Sequence, residues 1–172
     1  MDVLDILEQL HQDETYKVWK TSHEDSFLAH IFKMLDDLNQ DDFQIGFYNQ
    51  DDTITTFLIS PGGIKKTFSD GIFKVPGAKI QNLDEHRIKV SMAEALAKAE
   101  KFQSERHEAL IPIKIMAILQ NTEDFGQIYN ITYISPSLDT FNMKIDAATG
   151  EMLKNHSSSL IGQEGKGSDV ND

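Results

Sequence analysis

Residues 140–153, TFNMKIDAATGEML, carry the clearest local signal in the chain. Phe141, Met143 and Ile145 alternate with Asn142, Lys144 and Asp146, the period of a strand with one buried face and one wet face. Asp146-Ala147-Ala148-Thr149-Gly150 then supplies an Asp whose carboxylate can take backbone amides ahead of it, and a Gly that tolerates positive φ. The chain can turn sharply there and resume at Glu151-Met152-Leu153, so the stretch predicts a hairpin.

Three more elements precede it. Ser91-Met92-Ala93-Glu94 is a capping box that opens a helix through about Gln103, with Met92, Leu96, Ala99 and Phe102 on one face. Ile111, Ile113, Ile115, Ala117 and Leu119 alternate against Pro112, Lys114, Met116, Ile118 and Gln120. Both sets are largely apolar toward the end, which predicts a central strand. Asn121 to Gly126 turns the chain, and Gln127 to Ile134 is the next strand, with Tyr129, Ile131 and Tyr133 on one side.

Helix, strand, strand and a closing hairpin spelled IDAATGEML together resemble the PepSY domain, over about residues 90–153. The resemblance implies an α+β fold and a role in holding polypeptide. Typical PepSY members are secreted or membrane-attached, and some lie in the propeptides of thermolysin-like metallopeptidases. The beginning of this chain departs from that setting.

In the first half, Val3, Ile6, Leu7 and Leu10 recur at helical spacing and predict a short amphipathic helix over 2–12. Tyr16, Val18 and Trp19 follow as an aromatic pair outside a long periodic element. From Ser22, the residues Phe27, Leu28, Ile31, Phe32, Met34, Leu35 and Leu38 form an apolar stripe that predicts a helix of about four turns. Phe43 to Phe47 and Thr53 to Ile59 predict a hairpin, and Ile64 to Phe68 a third short strand. A more basic connector, Ile72 to Lys89, crosses to the second half, and Asn155 to Asp172 is small, polar and expected to be disordered.

The expected architecture is therefore a single α+β domain over 1–154 with a tail over 155–172. Two helix-then-antiparallel-strand halves, 22–75 and 90–153, would form one curved sheet with both helices packed on one face, like PepSY or cystatin folds. The opposite face would carry mostly polar residues such as Thr53, Thr55, Asn130, Thr132, Asn142 and Lys144.

Charge limits the partners. The net charge is −12, and residues 1–42 hold 11 acidic against 3 basic side chains. Such a field repels phosphate backbones, so neither nucleic acid nor an anionic membrane is an expected partner. The absence of cysteine removes disulfides, thiolate ligands and thiol nucleophiles, and fits a reducing compartment. MDVLDILEQLHQDE has acids where a secretory leader has a basic start, and no apolar run approaches the ~18 residues that span a bilayer. A cytoplasmic location is the expectation.

Catalytic spelling is also missing. The chain contains no HExxH and no nucleophile motif. Gly62-Gly63 with Lys65 and Lys66 lacks the Gly-Lys-Ser/Thr and the following helix of a phosphate loop. Asp37-x-Asn39-x-Asp41 opens like a calcium loop, but Asp42 and Tyr48 stand where Gly and Glu are needed. No metal or cofactor is therefore expected. The leading expectation is a non-enzymatic module that holds a protein or peptide on an open sheet face or edge strand. The alternative is a small-ligand or enzymatic pocket in a cystatin-like cone between helix and sheet. The residues expected to face a partner or pocket are Trp19, His30, Tyr48, Tyr129 and Tyr133.

Overall fold

Apolar residues placed with period two on long segments can bury themselves only by pairing strands edge to edge, and this governs the architecture of the chain. The computed structural model describes residues 2–36, 42–69, 79–106 and 111–159. In order they form α1 (Val3–Gln12), α2 (Glu14–Thr21), β1 (Phe27–Leu35), β2 (Phe43–Tyr48), β3 (Ile54–Ser60), β4 (Gly63–Ser69), α3 (Met92–Arg106), β5 (Lys114–Thr122), β6 (Gly126–Ile134), β7 (Asp139–Asp146) and β8 (Met152–Ser159). A 3-10 turn sits at Glu85–Arg87.

The eight strands make one sheet in the order β4-β3-β2-β1-β5-β6-β7-β8, every neighbouring pair antiparallel. Two meanders grow outward from a central seam, where β1 meets β5 with Ile31 opposite Leu119. The expected α+β arrangement of PepSY or cystatin type is corrected by this. Among the described residues the chain is mainly a single antiparallel sheet accompanied by three short helices, and the first half contributes a central strand where a long helix was expected.

The element that departs from expectation is β1. Its apolar residues fit a helical stripe because a central strand is apolar on both faces, which removes the alternation that marks a strand. A bulge between Leu28 and His30 breaks the period of two once more, leaving Leu28 and Ala29 both buried in succession. Aromatic and β-branched residues in the run then pair with β2 and β5 on either side.

The first aromatic pair lies in α2, an element absent from the expected set. Asp13 caps it by accepting from the amides of Thr15 and Tyr16, and it also ends α1. Asp2 and Asp5 form a capping box on α1, whose Val3, Ile6, Leu7 and Leu10 are all buried. The expected helix 2–12 is thus α1.

The second half follows its expected elements closely. Ser91 and Glu94 cap α3 reciprocally, Glu94 Oε2 accepting from Ser91 N at 2.8 Å and Ser91 Oγ from Glu94 N at 3.1 Å. Ala95 and Ala99 let α3 approach the sheet over Tyr129 and Phe141, all four fully buried. The closing turn forms as its residues imply. Asp146 Oδ1 accepts from Ala148 N at 2.8 Å and Thr149 N at 2.7 Å, and Gly150 adopts φ 71°. β8 then continues through Ser159, so Asn155 to Ser159 belong to an edge strand instead of the expected tail. Residues 160–172 and the calcium-like positions 37, 39 and 41 lie outside the described residues.

Candidate functional site

The sheet has two unlike faces. One is covered by the helices and carries Ile31, Phe43, Ile45, Phe47, Phe57, Ala117, Leu119, Tyr129, Ile131, Phe141 and Met143, all buried. On the other side, strand alternation places Phe32, Met34, Met116 and Ile118 at the seam. Phe32 stands opposite Ile118 and Met34 opposite Met116, each partly exposed.

The belt has a definite surround. Toward β2 and β3 the row continues from Phe32 through Gln44 to Leu58. Toward β6 and β7 it becomes polar, with Asn142 Nδ2 donating to Asn130 Oδ1 at 2.6 Å and to Thr132 Oγ1 at 2.8 Å. Lys114 Nζ and Asp36 Oδ2 meet at 3.7 Å at one end. At the other, Phe27 and Tyr48 rings lie 5.2 Å apart, and Ile128 is fully buried. The expected polar face is therefore half found. Asn130, Thr132, Asn142 and Lys144 are on it, but its centre is apolar, and Thr55 is buried on the helix side.

The five residues expected to face a partner or pocket do not converge. Trp19, Tyr129 and Tyr133 lie on the helix-covered face, whereas His30 and Tyr48 lie on the other. Trp19 is 2 % exposed and packs 5.2 Å from both Phe47 and Phe57, so it anchors the core. Truncation of such a residue costs ~3–5 kcal/mol, more than any surface role would explain. Tyr129 is fully buried and its hydroxyl donates to Val90 O at 2.5 Å. Burial, aided by the negative charges of Asp2 and Glu94, holds its phenol far above its ordinary value. Tyr133 is pushed up to about 12 by burial and by Glu100. Neither phenol can act as a base or nucleophile near neutral pH, so both are packing residues with a polar tip.

Tyr48 donates to Asp52 Oδ1 at 2.6 Å and steadies the β2–β3 turn. His30 stands opposite Gly46 on β2, with its ring directly against that glycine, and burial holds the imidazole below its ordinary value.

Two clefts with titratable groups open at the rim of the helix-covered side. One, of about 380 Å³, is lined by His11, Tyr16, Lys20, Glu85 and His86 among others. His11 Nε2 stands 3.6 Å from Glu85 Oε1, and burial and the Glu85 charge raise Tyr16, which keeps its proton. The other, of about 220 Å³, lies between the end of α2 and the β2–β3 turn and includes Asn49. Asn49 had no distinguishing signal in the sequence. The belt did have one: the apolar residues on both parities of Ile115 to Leu119.

Among the described residues no three His, Asp or Glu side chains are grouped to hold a metal ion, and no helix is long and apolar enough to cross a membrane.

No protein-family model matches the chain, and no curated protein matches it. A solved structure does: the crystal structure of a putative lipoprotein from Clostridium difficile 630 aligns over 87% of this chain and 97% of its own, with 17% identity and a TM-score of 0.53. At that identity the likeness is one of fold.

Proposed function

We propose that the chain is a non-enzymatic binding module that holds a polypeptide segment against the sheet face opposite its helices. The observation that carries this reading is the belt of Phe32, Met34, Met116 and Ile118 across the seam of β1 and β5. No described helix packs on it, and its two methionines suit it to segments of varied shape, because unbranched thioether side chains repack at little cost. The polar margin of Asn130, Thr132 and Asn142 offers hydrogen-bonding groups beside the apolar strip, the arrangement of core and rim found in interfaces. The PepSY-like spelling of the closing hairpin supports the same role.

The pocket alternative finds less support. The space between α3 and the sheet is filled by Ala95, Ala99, Tyr129 and Phe141, and the clefts described above lie at the rim.

Capture of host proteins on three immobilised forms tests the proposal: the natural chain, Phe32→Ser/Ile118→Ser, and a β8 edge variant, Asn155→Pro. A polypeptide retained by the natural chain and the edge variant but lost with the belt variant is the expected result. Equal retention by the belt variant would overturn the reading.

A further inference from the structure

One row of the open face leads out of the belt and ends in two lysines. Strand pairing sets Phe32 opposite Ile118, Ile118 opposite Asn130, Asn130 opposite Lys144 and Lys144 opposite Lys154. Cross-strand partners share a face, so both lysines stand on the side away from the helices. Lys144 is half-buried and Lys154 exposed. In the other direction the row reaches Lys65 on β4, opposite Leu58.

Like charges directly opposite each other on one face of a sheet repel and cost stability. Among the described residues no carboxylate pairs with either Lys144 or Lys154. Lys144 Nζ lies 4.5 Å from the centre of the Phe125 ring, a contact that attracts the cation without cancelling its charge. Acids elsewhere on this face are engaged: Asp36 Oδ2 meets Lys114 Nζ at 3.7 Å, and Asp146 Oδ1 accepts from the amides of Ala148 and Thr149. Glu123 and Asp124 of the β5–β6 turn are exposed and pair with neither lysine. The neighbouring row of Met34, Met116, Thr132, Asn142 and His156 holds no acid. In a chain of net charge −12, this side of the belt is therefore locally positive.

Spacing turns the charge into a pattern. Neighbouring strands lie about 4.8 Å apart, so Lys144 stands two strands, about 10 Å, and Lys154 three strands, about 14 Å, from Ile118. An extended polypeptide rises about 3.3 Å per residue, so three or four residues cover that distance.

We propose that the segment held by the belt is acidic as well as apolar: a large apolar side chain sits on Phe32 and Ile118, and Asp or Glu residues three or four positions along meet Lys144 and Lys154. This rests on the reading of the belt as a polypeptide site and adds the chemistry of its partner. Complementary charge of this kind sets specificity and speeds encounter more than it deepens affinity.

Fluorescence anisotropy with three labelled peptides tests it. Each peptide has Leu and Phe followed, after two Ser, by two Glu, two Gln or two Lys. The expected order of affinity for the natural chain is Glu, then Gln, then Lys, the reverse of what the net charge of −12 favours. The preference for Glu over Gln should be about fivefold, fall with added salt and vanish in Lys144→Gln/Lys154→Gln, which changes no fully buried side chain. Phe32→Ser/Ile118→Ser should lose all three peptides. Glu and Gln peptides bound equally by the natural chain, and both lost by the belt variant, would overturn the acidic partner and leave the belt standing. A Glu peptide held as tightly by the belt variant would overturn both readings. A preference for the Lys peptide, or binding of no peptide, would overturn this proposal, and the capture experiment then decides the belt.

Discussion

The imidazole of His30 rests on the backbone of Gly46 across the β1–β2 ladder, so close that a Cβ built on Gly46 would lie 2.3 Å from His30 Cε1. That contact requires a residue without a side chain at position 46. It also fixes the histidine ring at the margin of the apolar belt. Gly46→Ala should force the ring or the strand to move, at a cost of about 1–3 kcal/mol. A lowered urea midpoint with an unchanged slope checks it, and His30→Ala/Gly46→Ala should recover part of the loss if the ring is the obstacle.

Because burial lowers the pKa of His30, the unfolded chain takes up its proton at higher pH than the folded chain does. The contribution to stability is full above the ordinary histidine value of ~6.5 and is lost as pH falls below it. Urea unfolding between pH 7.5 and pH 5.5 should show a decline that His30→Gln flattens. The carboxylates act in a lower window. Glu94 is lowered chiefly by its hydrogen bond from Ser91 N and Asp139 by its bond from Ser137, so their contributions vanish only as pH falls below ~4.

Gly150 and Gly126 share φ 71°, but their surroundings differ. A Cβ on Gly150 would lie 2.1 Å from Lys98 Nζ, which donates to Gly150 O at 3.0 Å, whereas nothing lies within 4 Å of one on Gly126. Gly126→Ala should cost ~1–2 kcal/mol for the left-handed backbone alone. Gly150→Ala should cost more, and Lys98→Ala in the same chain should narrow the gap. Thermal melts of the four proteins measure it.

Tyr129→Phe leaves the Val90 carbonyl without its 2.5 Å donor in a buried position. A loss of ~1–3 kcal/mol in unfolding free energy is expected, with polypeptide capture by the belt unchanged. Loss of capture at full stability would assign Tyr129 a part in binding instead.

The second half was legible because its signals are local and chemical. The Ser91–Glu94 capping box and the Asp146–Gly150 turn each specify a backbone shape within a few residues. β1 was not, since apolar residues on both faces and a bulge at Ala29 left a helical stripe as its visible period. The same ambiguity hid the site. Aromatic side chains carry chemistry suited to a site, but which face each occupies depends on strand parity and on α2, and Trp19, Tyr129 and Tyr133 are core. Met34 and Met116 become neighbours only once β1 is a strand paired with β5.

Methionine methyl signals test the central claim most directly. Met34 and Met116 face each other in the belt, while Met92 and Met143 are buried on the helix side. In methyl-labelled protein titrated with the polypeptide it captures, the Met34 and Met116 signals should shift together and saturate, with Met92 and Met143 unmoved. Movement of Met92 and Met143 with Met34 and Met116 silent would contradict the account.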